Sequence, residues 1–469
     1  MTLQSTRPQT GVPAEALRGL CGGAVHLPGD PGYDDARIPW NVAIDQRPAA
    51  VVYPACTEEV AAVVRAAAAA GLRVAPQGTG HNAGPLGNLD DVVLLRTSAM
   101  TGVTIDPEAG TARVKAGTLW LDVVEAAAEH GLAVLHGSSP DVGVVGYSLG
   151  GGMGWYARAL GLQTNAITAA EVVTAAGTVL HADATTNPEI FWALRGGGGN
   201  VGIVTELEFR TFPFSTAYAG WLVWDASEAA RVLPAWARWA VDAPDAVTTS
   251  IRLLQIPPIP EMPEPFRGRH ILMVDGAVLA DDDEADRILA PLRALAPEMD
   301  TFARTPVEGL IRLHMDPEGP SPFTSATSVL AELPDAAVDA LLAAAGPSSG
   351  STLLLAELRQ LGGALARPAL GAGALPRLEG QFVFFAGAIA ATPEMGAAGY
   401  ADAHAAVAAL APWANERQYL NFAEEPVDTA SGYSANDWSR LVAIRAAADP
   451  HGRLVANHGV TGPAIPRQR

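Results

Sequence analysis

Three glycine-rich stretches, each closing an apolar strand or a short helix, fall within the first 202 residues. They are Gly78-Thr79-Gly80 with Gly84, the run from Gly143 to Gly154, and Gly196-Gly197-Gly198-Gly199 with Gly202. Glycine has no Cβ, so backbone built this way can approach a planar or phosphorylated ligand closely and offer it N–H groups. With 30 basic against 50 acidic side chains, the chain has few cations to hold a phosphate by other means. Three such stretches in succession point to a bound cofactor more than to three unrelated turns. The nicotinamide fingerprint fits poorly. Its G-x-G-x-x-G should close the first strand of a parallel sheet, whereas Gly143 to Gly154 comes late and between hairpins.

The remaining periodicity sets the context of these stretches. Ala50 to Tyr53, a helix capped by Thr57 and running to Ala70, and Leu72 to Ala75 read as a β-α-β unit that empties into Gln77-Gly78-Thr79-Gly80-His81-Asn82. Asp91 to Leu95 is a further strand. Gly102 to Ile105 with Thr111 to Val114, and Ile167 to Leu180, read as hairpins. A helix capped by Thr118 precedes a strand at Leu132 to Leu135, and a short helix spans Pro188 to Leu194 before the strand from Gly202 to Phe209. Beyond Pro213 the glycine runs cease. Helices at Asp335 to Ala345 and Pro393 to Leu410, and strands at Thr248 to Leu254, His270 to Val278, Ser351 to Leu358 and Gln381 to Ala390, suggest a second unit. The tail regains a compact pattern, with a helix near Trp438 to Ala448. The expected fold class is α+β: residues 1–211 with 413–469 form one unit, and 212–412 form an inserted unit containing an antiparallel sheet.

Composition removes several function classes. The formal charge of −20 opposes nucleic acid and anionic membrane surfaces. No apolar run reaches the ~20 residues of a membrane span, and the first residues carry no export pattern, so a cytoplasmic location is expected. Cys21 and Cys56 are the only cysteines, too few for a cysteine-based metal site or a disulfide framework. His314 and Asp316 share a Pro-bounded loop, but two ligands do not make a metal site, and none is expected.

The motifs, taken in order, resemble the vanillyl-alcohol-oxidase (PCMH-type) superfamily, berberine-bridge-enzyme-like branch. Gln77-Gly78-Thr79-Gly80-His81-Asn82 resembles its R-S-G-G-H-S segment. Gly137 to Gly146 resembles G-x-C-P-x-V-G-V-G-G, and Gly150-Gly151-Gly152-Met153-Gly154 its following G-G-G-x-G. Phe191 to Asn200 and Gly202-Ile203-Val204 resemble F-W-A-x-R-G-G-G-G and G-I-V. Tyr419-Leu420-Asn421 resembles Y-x-N, and Asp449-Pro450-His451 with Asn457-His458 the closing segment. The resemblance covers roughly residues 35–211 and 415–460. It implies a two-part FAD-binding domain, a β-α-β subdomain plus a mixed-sheet subdomain, with an inserted substrate domain. It implies FAD linked to His81 through its 8α-methyl group, and an oxidase that passes a hydride from an alcohol, sugar or secondary metabolite to FAD and then to O2. The further residues implied to bind FAD are Gln77, Gly78, Thr79, Gly80, Asn82, Gly84, Ser138, Ser139, Val142, Gly143, Gly146, Tyr147, Gly150, Gly152, Gly154, Gly202, Val204, Tyr419, Asn421 and Asn457.

This sequence departs from the family in three places. Ser139 stands where a second, cysteinyl link is made, and serine cannot form that thioether, so a single link at His81 is implied. Gln77 replaces an Arg, and Thr79 replaces a Gly. A dehydrogenase with another acceptor, or a tailoring enzyme acting on a polyketide-like substrate, are the alternatives. The expected partners are a small-molecule substrate and O2, with a monomer or homodimer and a bacterial, secondary-metabolic setting.

A base must take the proton that accompanies the hydride. Tyr419 is the first candidate, provided its pKa falls from about 10. Asn421, two residues on in an extended segment, would face the same side and hold substrate or flavin. Glu357 is the second. In a strand that otherwise reads as buried, its carboxylate must be paired, with Arg359, or have a raised pKa. Gln381, Phe382 and Phe384 are candidates for the pocket lining.

Overall fold

The computed structural model describes residues 13–260 and 264–461. The first twelve residues, read above for an export pattern, lie outside this range, as do 261–263 and the last eight of the expected tail.

Val51 and Val52 are buried on both faces, as suits a strand inside a mostly parallel sheet covered by helices. That sheet runs in the order Val25–His26, Ala50–Val52, Val92–Arg96, Arg73–Gln77, the last three strands parallel. The expected β-α-β unit is present, with the third strand inserted between the other two. Its helix, Thr57–Ala69, begins one residue earlier than a Thr57 cap would give. Cys56 takes the N-cap position, and the Thr57 hydroxyl donates instead to Glu171 Oε1 at 2.6 Å, tying this sheet to the next. The second sheet, Val103–Asp106, Thr111–Lys115, Ile203–Arg210, Ile167–Val173, Val179–Asp183, is antiparallel.

Three further local expectations are corrected. Thr118 does not cap the Trp120–Ala128 helix. Its hydroxyl exchanges hydrogen bonds with the Gly102 backbone at 3.1 and 3.2 Å. Leu132 to Leu135 makes only one β-bridge, Ala133 to Phe212, because its apolar side chains pack as a connection between two cores. The run from Gly143 to Gly154 is half helix: Val144–Gly150 winds around buried Val144, Val145 and Leu149.

Residues beyond 213 build an antiparallel sheet of eight strands among the described residues. Its order is Met299–Asp300, Thr216–Asp225, His270–Val278, Val247–Gln255, Leu355–Gln360, Phe382–Ile389, Phe323–Leu330, with Ala303–Pro306 also on Thr216–Asp225. Register puts Leu222, Val274, Ile251, Leu358 and Phe384 in one row across the sheet. This face packs against the helices Ala229–Asp242, Asp282–Arg293, Asp335–Ala345 and Pro393–Leu410, around Trp224, Trp236 and Phe382. The opposite face carries Asp275, Ser250, Arg359 and, two residues along, Arg252, Glu357, Phe385 and Thr327.

The tail returns to the first two sheets. Val74 and Leu454 form a parallel bridge, and Leu441 and Ile444 of the Ala435–Ala448 helix join the core of Trp120, Val144 and Phe191. Among the described residues no helix is long and apolar enough to cross a membrane.

Arg158, only 3% exposed, fastens the segment after the second glycine run to the large sheet. It donates to the carbonyls of Leu361 (2.8 Å), Pro244 (2.9 Å), Val247 (2.6 Å) and Ala243 (2.9 Å). A buried carbonyl left unpaired costs about 1–3 kcal/mol. Arg158→Met, which keeps volume and removes the donors, should therefore cost at least about 3 kcal/mol, read as a lower urea midpoint; a midpoint unchanged from wild type would show that water replaces the guanidinium.

Candidate active site

The site grows from the turn that follows the Arg73–Gln77 strand. Gly80 has φ +88°, and a Cβ there would lie 2.7 Å from Pro39 Cβ, so only glycine fits. The Gln77 amide is spent locally, donating to Gln46 Oε1 and accepting from Arg96, both at 3.1 Å. His81 emerges beneath the Trp40 indole, ring centroids 4.0 Å apart and planes 17° from parallel. His81 Nδ1 lies 2.7 Å from Thr79 Oγ1. Nε2 is 3.3 Å from Asp141 Oδ1, within reach of charge attraction but badly angled for a hydrogen bond, and it is buried without a hydrogen-bonding partner.

Asp141 is the anchor of this corner. It accepts from Ser139 Oγ (2.8 Å), Trp40 Nε1 (2.7 Å) and Gly319 N (2.8 Å). Burial acts to raise its pKa, but contact with His81 and these donors outweighs burial and holds the carboxyl well below the usual range. Ser139 thus serves this corner as a hydrogen-bond donor.

The glycines divide into two groups. A Cβ on Gly146 would meet nothing within 4 Å, one on Gly143 only Thr79 at 3.9 Å, and one on Gly78 only Thr97 at 3.8 Å. These three line open space. Gly84, Gly150, Gly152, Gly154 and Gly202 do not: a Cβ at Gly150 would stand 1.8 Å from Asn421 Oδ1, and one at Gly154 1.9 Å from the His136 carbonyl. Their lack of a side chain serves protein packing. Val204 lies in the apolar core of the second sheet, and the Val142 carbonyl accepts from Trp120 N at 3.0 Å.

Tyr419 and Asn421 close the cradle from the tail. Leu420–Phe422 is a turn of 3-10 helix, so the two side chains do not alternate as in a strand. They meet nonetheless: Asn421 Nδ2 donates to the Tyr147 carbonyl at 3.0 Å and approaches Tyr419 Oη at 3.4 Å. Tyr419 Oη accepts from Gly152 N at 3.1 Å. Burial pushes the Tyr419 hydroxyl up to about 12, the direction opposite to that wanted in a base. Asn82 donates to the Leu420 carbonyl at 3.4 Å and accepts, through its own carbonyl, from Asn457. His81 Nε2, Asn82 Oδ1 and Tyr147 Oη are all buried polar atoms without partners in these walls. With the open glycines, they fit a planar ligand that brings its own hydrogen-bonding groups.

The polar face of the large sheet forms the opposing wall. Arg359 Nε donates to Glu357 Oε1 at 2.7 Å, and Arg359 Nη2 approaches Ser138 Oγ at 3.4 Å and His314 Nε2 at 3.2 Å. His314 Nδ1 lies 2.7 Å from Asp275 Oδ2, which also accepts from Arg252 at 2.5 Å, while Ser138 Oγ donates to Asp316 at 2.8 Å. Burial acts to raise Glu357, but Arg359 and His314 override it, so the carboxyl stays far below the usual range. Burial and Arg252 act to lower His314, and Asp275, Asp316 and Glu357 together raise it. Phe382 and Phe384, expected to line the pocket, point to the helices; the neighbour on the site face is Phe385.

Sequence reasoning missed Trp40, Asp141, Arg252, Asp275 and Glu424. Arg252 and Asp275 were visible as charges inside otherwise apolar strands, the same signal that marks Glu357. Glu424, whose carbonyl packs on Gly84, accepts from Ser325 Oγ at 2.8 Å, and burial raises its carboxyl to about 7.

Residues 48–183 match the FAD binding domain family. The chain is similar to the xylooligosaccharide oxidase of Thermothelomyces thermophilus, 38% identical over 42% of this chain and 41% of that protein. Its fold is similar to that of the wild-type BBE-like 1 protein of Physcomitrella patens (TM-score 0.83, 21% identity, 97% of this chain and 100% of the other). It is also similar to that of the 6-hydroxy-D-nicotine oxidase of Arthrobacter nicotinovorans (TM-score 0.78, 26% identity, 92% and 95%). The matches to the first curated relatives span 41%, 43% and 44% of those proteins, less than half their length. Fold and matched domain together define an FAD-binding protein of PCMH type. Within that class the chain shares its fold with a BBE-like protein.

Glu424 gives a pH signature. Its folded pKa of about 7 exceeds the ordinary 4.5, so the folded chain holds a proton that the unfolded chain releases. The resulting stability is full below pH 4.5 and is lost as pH rises through 7. At ~1.4 kcal/mol per unit this amounts to about 3 kcal/mol. Glu424→Gln should flatten the fall in denaturation free energy between pH 5 and 8 relative to wild type; parallel curves would show that Glu424 does not titrate in this window.

Proposed function

We propose that the chain is an FAD-dependent oxidase that carries its flavin on His81 by a single covalent link and oxidises a hydroxyl group of an uncharged small molecule, an alcohol or a sugar. The observation that carries this reading is the placement of His81: an unpartnered ring nitrogen at the mouth of a cradle of open glycines. That cradle faces a sheet wall whose charges are already paired. When bound, FAD supplies the acceptor for a hydride, and O2 returns it to the oxidised state with release of H2O2. Gly78, Gly143 and Gly146 would admit the ring system, and Asn82, Tyr147 and Asn457 would meet its polar edges. Residues 1–211 with 413–469 are read as the flavin unit and 212–412 as the substrate unit. Tail residues Tyr419, Asn421 and Asn457 bonding to the glycine loops support that division.

The wall matches three basic side chains, Arg252, His314 and Arg359, with three acidic ones, Asp275, Asp316 and Glu357. A charged substrate would upset this balance in a buried setting, whereas hydroxyl groups would add hydrogen bonds to it. The relatives named for sugar oxidation are in keeping with such a substrate. Tyr419 keeps its proton at neutral pH and is assigned to hold the reacting hydroxyl by donating to it. Glu357 is ionised, and its Oε2 makes none of the contacts to Arg359 or His314, so the departing proton is assigned to Oε2.

Two experiments test this reading. Acid-denatured protein should retain yellow fluorescence on the polypeptide, on the peptide containing His81, and His81→Ala should release it; flavin freed by acid from wild type would exclude the covalent link. Glu357→Gln should slow flavin reduction at saturating substrate about 100-fold or more while FAD stays attached; an unchanged reduction rate would remove Glu357 as proton acceptor.

A further inference from the structure

The site-facing side of the large sheet is divided in two. Its charged half ends at Glu357, and the residue directly across from Glu357 on the next strand is Phe385. From there outward the face changes character. Val383, Phe385, Gly387 and Ile389 give the Phe382–Ile389 strand no polar side chain on this side. On the edge strand Phe323–Leu330, the two hydroxyls of the same face have already given their protons to the protein, Ser325 Oγ to Glu424 at 2.8 Å and Thr327 Oγ1 to the Phe384 carbonyl at 2.7 Å. Three phenylalanines cover this half. The Phe422 ring meets Tyr419 at 5.1 Å and Phe385 at 5.4 Å, both edge to face, with the Arg359 guanidinium 4.9 Å from its centre. Phe385 in turn stacks with Phe323, centroids 6.2 Å apart and planes 13° from parallel. Gly387 makes that arrangement possible: a Cβ there would stand 2.1 Å from Phe323 Cζ, so the Phe323 ring occupies space that only a bare backbone leaves. All three rings are partly exposed, whereas Phe382 and Phe384 beside them are buried.

We propose that Phe422, Phe385 and Phe323 form the subsite for the body of the substrate, and that this body is planar and apolar, an aromatic ring system rather than a sugar. The proposal rests on the reading that the chain oxidises a hydroxyl group. A partly exposed phenyl ring gains from apolar cover in proportion to the area removed from water, and a second aromatic ring adds its preferred offset or edge-on geometry. A sugar carries hydroxyls along its whole length, and each needs a partner once buried. Beyond the Glu357 and Phe385 pair, the two outer strands offer it no hydroxyl proton and no charged side chain on this face. The boundary also sets the direction of binding. A substrate that straddles it places its hydroxyl by Glu357 and Tyr419, where the polar atoms lie, and its rings over Phe385 and Phe323. Phe422 joins the two halves, since it touches Tyr419 on one side and Phe385 on the other. None of the three rings bears a group that can move a proton; they determine specificity.

The test uses the flavin-loaded full chain. Naphthalen-2-ylmethanol and cellobiose are offered in turn as reductants of the flavin in the absence of oxygen. Naphthalen-2-ol, which has no hydrogen on the carbon bearing its hydroxyl and so cannot lose a hydride there, is titrated by calorimetry as a binding probe. The naphthyl alcohol should half-saturate flavin reduction at a concentration about tenfold or more below that of cellobiose, and the naphthol should bind and compete with it. Phe385→Ala and Phe323→Ala should each weaken naphthol binding about tenfold, and should raise the half-saturating naphthyl alcohol concentration more than they lower the limiting rate. Should an alanine variant fail to fold, the leucine variant at that position, which keeps apolar bulk and loses the planar face, is read in the same way. Cellobiose that half-saturates below the naphthyl alcohol, naphthol that does not bind, or naphthol binding unmoved by both substitutions overturns the proposal and leaves the oxidase reading standing. Naphthol binding that depends on Phe385 and Phe323, in a protein whose flavin is reduced by neither probe nor by a panel of primary alcohols and sugars, upholds the subsite and overturns the reading that the chain oxidises a hydroxyl group.

Discussion

A carboxylate inside a β-sheet must be paired, and the site is organised around that constraint. Asp275 is fully buried and Glu357 is 2% exposed. Removing either from water would cost several kcal/mol unless cations stand against it. Sheet register supplies them. Arg252 lies opposite Glu357, and Ser250 lies between Asp275 and Arg359 in one cross-strand row. His314, arriving from outside the sheet, bridges the two carboxylates. The same network reaches the cradle, because Arg359 and Asp316 both approach Ser138, next to Ser139. Losing one member would leave its partner buried and uncompensated, at about 3–5 kcal/mol. The wall is therefore held together as one network of paired charges.

The cradle opposite depends on close approach. Gly150, Gly151 and Gly152 lie against Asn421, Tyr419 and Tyr147 with no room for a Cβ. That contact draws together segments some 270 residues apart in sequence, as the Gly152 to Tyr419 bond, separated by 267 residues, illustrates. Gly143 and Gly146 stay free of such neighbours, so one glycine-rich segment performs two tasks, packing the tail with one half and lining open space with the other.

Much of this was legible in the sequence, and the failures have physical causes. The β-α-β entry, both hairpins and the helices Asp335–Ala345 and Pro393–Leu410 carried clear periodicity. The strands Thr216–Asp225 and Phe323–Leu330 were missed, since both lie among core residues and small polar ones that blur alternation. Thr57 and Thr118 had the composition of caps, but tertiary partners took their hydroxyls. Glu357 stood out because a charge in an apolar run must be explained; the same logic applied to Arg252 and Asp275 would have exposed the whole wall. Phe382 and Phe384 were assigned to the wrong face, an error of one residue in a strand whose two faces are both apolar. No sequence signal distinguished glycines that line space from glycines that pack, since that depends on what folds against them.

Everything proposed for this chain turns on a flavin lying between the open glycines and the polar sheet face, with His81 at its edge. A crystal structure of the flavin-loaded protein tests it most directly. The ring system should lie against Gly143 and Gly146, with its 8α carbon bonded to His81 and one face turned toward Glu357 and Arg359. A flavin seated elsewhere, or a His81 still stacked under Trp40 with no bond to the ring system, would contradict it.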